Sequence, residues 1–501
     1  MRWKAATWIV LLSVCLISPL DADAFGATCT TGPTVAFTLL HMNDVYELTP
    51  GGGRNLGGLA RVATVKKALR TQHPNTFTVL AGDLFSPSAL GTAVVEGRRL
   101  NGRQMVHVMN LLGLDFATFG NHEFDLNEAD FLQRLQESTA LWVTSNVLDA
   151  HGKLFPKTQQ NHILTVQGEQ GAAVKVGFFG LTINSNPKPY VQYTPYLDAA
   201  KTQIALLRPQ VDILIAITHL PYDQDIALAQ SFPELDMIIG GHEHENMQLW
   251  RGSNFTPIMK ADANAQTVYI HYLTYCIGNR RLRVRSELQL IDRHIPDDPQ
   301  LAEVIQHWVD VGFQAFEASG FSPRQVIATT KVALDGTEAS VRNHATNLTQ
   351  LIAEGMLASA PGAQLAIFNS GSIRIDDILP PGAITQYDVI RILPFGGKLL
   401  TVTMKGRVLE NVLTIGRANK GRGGYLQTAN VGWDEQHNIW TIQNRALDER
   451  ETYMVAINDF LLTGLEQGLG FLKDNPDVKV VQEGDDIRWS LIHQLRRQSA
   501  N

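Results

Sequence analysis

Cysteine is scarce in this chain, with three among 501 residues. Cys15 lies inside an N-terminal apolar run, which leaves Cys29 and Cys276 elsewhere. Two thiols cannot form a metal cluster, so any metal must be held by His, Asp and Asn. The sequence leaves the pairing of Cys29 with Cys276 open, and such sparse usage is compatible with an oxidising compartment. An excess of positive charge is missing too. Lys and Arg number 42 against 49 Asp and Glu, a formal net charge of -7, which argues against non-specific nucleic-acid binding. A small anionic substrate would need a local positive site, made by metal ions or placed arginines. Also absent is a convincing spanning run. Trp8 to Leu20 is apolar but short, preceded by Arg2 and Lys4 and followed by Ala22-Asp23-Ala24. Residues 1–24 therefore read as a cleavable secretory signal. A secreted or periplasmic protein is expected, without stable membrane insertion after cleavage. Neither an internal repeat nor a low-complexity tract is present.

What remains is an ordinary globular composition, 44% hydrophobic and 18% charged, in a chain long enough for two or more domains. Thr34 to Leu40, Phe77 to Leu80, Val174 to Leu181, Val211 to Thr218 and Met237 to Ile239 read as buried strands. Leu59 to Leu69, Met105 to Leu112 and Asn127 to Leu135 read as helices, the last capped by Asp125 or Asn127. This alternation argues for an α/β domain with helices covering sheets. A turn-rich break at Ile295-Pro296-Asp297-Asp298-Pro299 precedes a helical pattern over Gln300 to Ala318. That helix either links two domains or packs on the first. A second α/β region follows from about Gln325.

Oxygen and imidazole donors stand just after the strand-like runs. They are Asp44, Asp83 after Gly82, Asn121 and His122 after Gly120, His219, and His242 and His244 after Gly240-Gly241. Hydrolysis of a phosphate ester needs a hydroxide near neutral pH, charge neutralisation at phosphorus and a stabilised leaving oxygen. Two metals about 3.5–4 Å apart meet all three needs. Asp83 is the natural bridge, because Gly82 lets the chain turn tightly at the strand end. His122, next to Asn121, points elsewhere and suits an acid, with Asp125 able to hold its tautomer. His242 and His244 share one side of an extended segment, which suits one ligand to each metal.

These motifs resemble the calcineurin-like metallophosphoesterases, and within them the secreted 5′-nucleotidase and UDP-sugar hydrolase family. The resemblance covers nearly the whole mature chain in the family's motif order. It implies a bridging Asp83, with one metal held by Asp44, Asp83 and His244 and the other by Asp83, Asn121, His219 and His242. It matches His122 and Asp125 to the catalytic dyad. One position departs from the pattern: the family has Asp-x-His where this chain has Asp44-Val45-Tyr46. A phenol is a poor ligand until deprotonated. Tyr46 then binds a ferric ion as phenolate, or lines the site without coordinating and leaves one metal weakly held, or marks a lost metal.

The second region resembles the same family's C-terminal domain. The matching segments are Asn369-Ser370-Gly371-Ser372-Ile373-Arg374, Leu393-Pro394-Phe395-Gly396-Gly397 and Asn458-Asp459-Phe460-Leu461. Arg374 offers a planar fork for phosphate and Phe395 a flat face for a base. Arg342 matches a phosphate-contacting arginine, although Ala345 replaces the family's Glu. The family's Gly-Gly-Asp-Gly is replaced by a longer segment ending at Phe471, whose ring is the candidate partner of Phe395.

The expected fold class is α/β. A four-layer α/β/β/α metallophosphoesterase sandwich spans 33–292, a linker helix 293–324, and an α/β 5′-nucleotidase-type substrate domain 325–501. The expected cofactors are two divalent metal ions (Zn, Mn, Fe or Co), and the resemblance implies that the linker lets the domains rotate. The expected substrate is a small phosphorylated molecule, first a nucleoside 5′-monophosphate. Alternatives are cyclic nucleotides, UDP-sugars, sugar phosphates, a sulfur ester, or a binding role without catalysis.

Overall fold

The computed structural model describes residues 32–51 and 55–499. The leader-like residues 1–24 and Cys29 lie outside the described residues. Cys276 is disulfide-bonded.

Two sheets face each other in the N-terminal domain. One orders its strands Arg281–Leu290, Thr267–Cys276, Thr34–Met42, Thr76–Ala81, Phe116–Thr118, Leu141–Val143 and Thr158–Gln159. The other orders Met247–Arg251, Thr256–Lys260, Met237–Gly240, Ile213–His219, Ala173–Thr182 and Asn161–Gln167. Alternation of side chains along a strand decides which layer each residue joins. Ile213, Ile215 and Ile217 enter the core between the sheets with Phe37, Leu39, Val79 and Phe178. Leu214 and Ala216 face the helices Tyr196–Leu207 and Tyr222–Ser231. Burial on both faces is why this strand reads as a continuous apolar run. On the opposite outer face, Leu40, Met42 and Leu80 pack under Leu59–Gln72, Arg103–Leu112 and Glu128–Glu137. The result is the α/β/β/α sandwich. The hairpin of Thr267–Cys276 and Arg281–Leu290 has no counterpart among the expected strands, because Arg281, Arg283 and Arg285 dilute its apolar pattern.

The C-terminal domain is built on one sheet, ordered Leu426–Ala429, Leu365–Asn369, Thr452–Asn458, Lys398–Lys405 and Val478–Asp486. Leu365 and Ile367 face helix Gly406–Ala418, while Ala366 and Phe368 face Asn347–Ala358 and Ile487–Ser499. Helix Pro299–Ala318 runs between the domains. Asp298 caps it by accepting from Leu301 N–H at 3.1 Å, and Pro299 opens its first turn. It packs on both sides. Trp308 Nε1 donates to His107 in the first domain at 3.0 Å, and Phe313 meets the Tyr387 ring of the second at 4.7 Å.

Candidate active site

The residues singled out as ligands gather where the sandwich strands end. Asp44 follows Thr34–Met42, Asp83 follows Thr76–Ala81, Asn121 follows Phe116–Thr118, His219 ends its strand, and His242 follows Met237–Gly240. The central strands run parallel, so these ends open on one crevice. Close approach is built into the backbone. Gly82 has φ 85°, and a Cβ there would lie 2.4 Å from His219 Nδ1; a Cβ on Gly120 would lie 2.0 Å from Asp83 Oδ1. Asp44 (φ 52°), Asp83 (φ 61°) and His242 (φ 83°) all take the left-handed conformation that side chains avoid. Such strain persists only where surrounding contacts impose it. Here Asp44 N–H donates to Gly82 O at 3.0 Å, and Asp44 Oδ2 receives His242 N–H at 2.9 Å and Asn43 Nδ2 at 2.8 Å.

Asp44, Asp83 and His219 bring ligand atoms within 4.8 Å of one another, all buried. His219 Nδ1 is spent on Ala81 O at 2.8 Å, which turns Nε2 toward Asp83 Oδ2 at 3.3 Å. His219 Nε2 and Asn121 Oδ1 are nevertheless buried without hydrogen-bond partners. Two orphaned donor atoms beside two carboxylates fit a divalent cation, since buried polar atoms otherwise find partners. Burial alone would raise the Asp83 carboxyl, but His219 and His122 hold it well below its ordinary value. The same attraction outweighs burial at His219, whose pKa is pushed up to about 9 by Asp83 and Asp44.

His122 N–H donates to Asp83 Oδ1 at 2.8 Å. Its Nδ1 lies 2.8 Å from Asp125 Oδ2, and its Nε2 lies 2.8 Å from Arg374 Nη2. A guanidinium only donates, so Nε2 accepts and Nδ1–H donates to Asp125. The His122 ring is thus held between Asp125 and, from the C-terminal domain, Arg374. Asp376 of the same domain pairs with His244 Nδ1, which aims His244 Nε2 at Asp44 Oδ1, 3.5 Å away. Tyr46 Oη lies 2.9 Å from Asp83 Oδ2, 3.1 Å from Asp44 Oδ1 and 3.3 Å from His244 Nε2. Burial, then Asp83 and Asp44, push its pKa well above 10 and keep it a phenol.

The remaining expected residues are less uniform. Arg342 pairs with Glu338 and stands with His242, His244 and Asp376 on the wall of a cleft of about 920 Å³. Asn369 is 5% exposed and its oxygen receives Ser372 Oγ at 2.6 Å and Asn458 Nδ2 at 3.0 Å, so it braces a turn. Phe395 is 42% exposed. Phe471 packs against the C-terminal core cluster of Leu461, Leu469 and Leu472.

Several positioning groups escape the sequence reading. Glu123, quoted within its motif but given no role, accepts the backbone N–H groups of Asp83, Leu84, Phe85 and Gly120. Ser86 Oγ and Asn186 Nδ2 donate to Asp125 at 3.0 and 2.8 Å. Buried Lys260 donates to Leu220 O and Gly241 O at 2.6 and 2.8 Å, beneath the His242 loop. Proximity to a motif is the only signal for Glu123 and Asp376, and nothing local marks Asn186 or Lys260.

A sandwich with this set of donors defines a metallophosphoesterase. Residues 37–246 match the calcineurin-like phosphoesterase model, and residues 326–473 match the 5′-nucleotidase C-terminal domain. The chain belongs to the calcineurin-like phosphoesterases, in the branch that carries a 5′-nucleotidase C-terminal domain, and is a metal-dependent phosphoric ester hydrolase. It is 26% identical over 491 residues to the trifunctional nucleotide phosphoesterase protein YfkN of Bacillus subtilis, covering 85% of this chain but 32% of that protein. The chain thus spans about a third of that relative's length. Protein UshA of Yersinia enterocolitica is 26% identical over 532 residues, covering 93% of this chain and 91% of that one. The crystal structure of a 5′-nucleotidase precursor from Thermus thermophilus superposes with TM-score 0.76 at 25% identity, covering 93% of this chain and 97% of that one.

Proposed function

We propose that the protein hydrolyses nucleoside 5′-monophosphates to nucleoside and inorganic phosphate outside the cytoplasm. Arg374 is the observation that carries this reading. A guanidinium from the second domain sits on His122 Nε2 at 2.8 Å, beside the buried ligand cluster. A phosphoryl group bound there meets a planar fork on one side and the ligand cluster on the other. The names of the relatives and the C-terminal domain match favour a nucleotide as its carrier. Phe395, exposed at the domain surface, offers the base a stacking face.

Asp44, Asp83, Asn121, His219, His242 and His244 form the donor set that would hold divalent metal, and it suits Mn, Zn, Co or Fe. Bound metal supplies charge neutralisation at phosphorus and a nucleophilic hydroxide near neutral pH. The chain's own groups do the rest. Arg374 turns from His122 Nε2 to orient the phosphoryl oxygens, which frees Nε2 to take up a proton and pass it to the departing nucleoside oxygen. Asp125 fixes the His122 ring, itself steadied by Ser86 and Asn186. Export rests on the leader-like residues 1–24. Among the described residues no helix is long and apolar enough to cross a membrane.

The test is phosphate release from AMP by the mature protein. Release should stop with chelator, return with Mn, Zn or Co, and vanish in His122→Ala. Turnover of an aryl phosphate but not of AMP would overturn the nucleotide assignment while leaving the ester chemistry.

A further inference from the structure

The two halves of the ligand set differ, and Tyr46 makes the difference. In the half formed by Asp44, Asp83 and His244, the three ligand atoms already converge on one atom, the Tyr46 hydroxyl oxygen, at 3.1, 2.9 and 3.3 Å. His244 is not free to turn toward another partner, because Asp376 holds its Nδ1. Nor is the phenol loosely placed. Tyr46 is 6% exposed, its N–H donates to Asn264 Oδ1 at 3.0 Å, and the rings of His122 and His244 stand edge-on to it at 6.2 and 5.6 Å. The other half shows the opposite condition. Asn121 Oδ1 is buried without a hydrogen-bond partner, and His219 Nε2 is buried with only Asp83 Oδ2 near it, at 3.3 Å; the His242 ring lies 5.2 Å from that of His219. One half converges on a hydroxyl of the chain itself, and the other leaves a buried amide oxygen without a hydrogen-bond partner.

We propose that Tyr46 fills one of the two metal positions, so that the protein retains a single divalent ion, held by Asp83, Asn121, His219 and His242. The inference rests on the phosphoesterase reading of the site. Its chemistry is a competition for lone pairs. An imidazole in place of Tyr46 would add a ligand nitrogen, whereas the Tyr46 hydroxyl already occupies the point on which the Asp44, Asp83 and His244 ligand atoms converge. A cation entering the Asp44 half must displace the O–H and gains no ligand in return. On that side of the site Arg374 and Arg342 supply fixed positive charge, one on His122 and one on the cleft wall beside His244.

The test is metal stoichiometry, read independently of activity. The full mature chain is stripped with chelator, equilibrated with excess Mn²⁺ or Zn²⁺ alone, desalted, and assayed by inductively coupled plasma mass spectrometry. One ion per chain is expected for the native protein and none for His219→Ala, each shown folded by circular dichroism. Tyr46→His, which restores an imidazole, should retain two. Two ions retained by the native protein overturn the proposal, as does Tyr46→His, shown folded, remaining at one. A visible charge-transfer band on loading Fe³⁺, lost in Tyr46→Phe, would make Tyr46 a phenolate ligand and overturn it equally. Phosphate release from AMP is scored separately. One ion without release sinks the nucleotidase reading and leaves this inference standing; two ions with release does the reverse.

Discussion

Glu123 shows how much of this site is held by a residue that touches no substrate. Its two oxygens receive four backbone N–H groups, three from the Asp83 turn and one from Gly120. Burial, and then the charge of Asp83, push its carboxyl up to about 7. Glu123→Gln keeps the shape but replaces one acceptor oxygen by a donor that faces N–H groups. Buried N–H groups then lose their partner, at about 1–3 kcal/mol each. The metal-free protein should melt measurably lower, and an unchanged melting temperature would contradict the role. Asp125→Asn acts on chemistry instead. It weakens the hold on His122 Nδ1, so kcat for AMP should fall about 10²-fold or more while KM moves little. A steady-state comparison of the two variants separates the roles. At this scale the candidate ligands were legible because each is local: an apolar run, a turn, then Asp, Asn or His. Glu123 was visible in the motif but its function was not, since its partners come from two separate turns.

At the scale of elements, the strand Thr256–Lys260 ends in a lysine that is 0% exposed. Lys260 Nζ lies 2.9 Å from Asp225 Oδ2, pairs with Glu243, and donates to Gly241 O. Burial opposes its charge, but Asp225 and Glu243 outweigh that and raise its pKa. The lysine thereby ties helix Tyr222–Ser231 to the loop that carries His242 and His244. Lys260→Met matches the length of the side chain but strands two carboxylates. Breaking a buried pair from one side costs about 3–5 kcal/mol, and the urea midpoint should fall accordingly. A loss below about 1 kcal/mol, within the range of exposed pairs, would mean that solvent already reaches this cluster. Five strands and three helices of the sandwich were readable from periodicity, and Asn127 caps Glu128–Glu137 by accepting from Asp130 N–H at 3.0 Å. Lys260 was not readable, because a lysine at the end of an apolar run looks like a strand reaching solvent.

The whole molecule joins its domains through charged groups as well as through the helix Pro299–Ala318. Arg374 meets His122, Asp376 meets His244, and Arg391 meets Glu47 at 3.5 Å. The last pair joins Glu47 of the first domain to Arg391 of the second, with side chains 13% and 12% exposed. Burial raises the Glu47 carboxyl above its ordinary value of 4.5, and Arg391 offsets only part of that rise. A carboxyl whose folded pKa is raised contributes stability that is fully present below the unfolded pKa. That contribution is lost as pH climbs through the folded pKa. Arg391→Met removes the offset, so the folded pKa of Glu47 rises further and the penalty at high pH grows by about 1.4 kcal/mol per unit. Urea denaturation should therefore show the variant close to the native chain at pH 4.5 and clearly weaker at pH 8. Adding Glu47→Gln should remove most of that pH dependence, leaving the part that Asp388 carries, whose Oδ1 lies 3.8 Å from the guanidinium. If the variant is equally weak at both values, the lost guanidinium was acting through packing, and the charge of Glu47 does not govern how the domains meet.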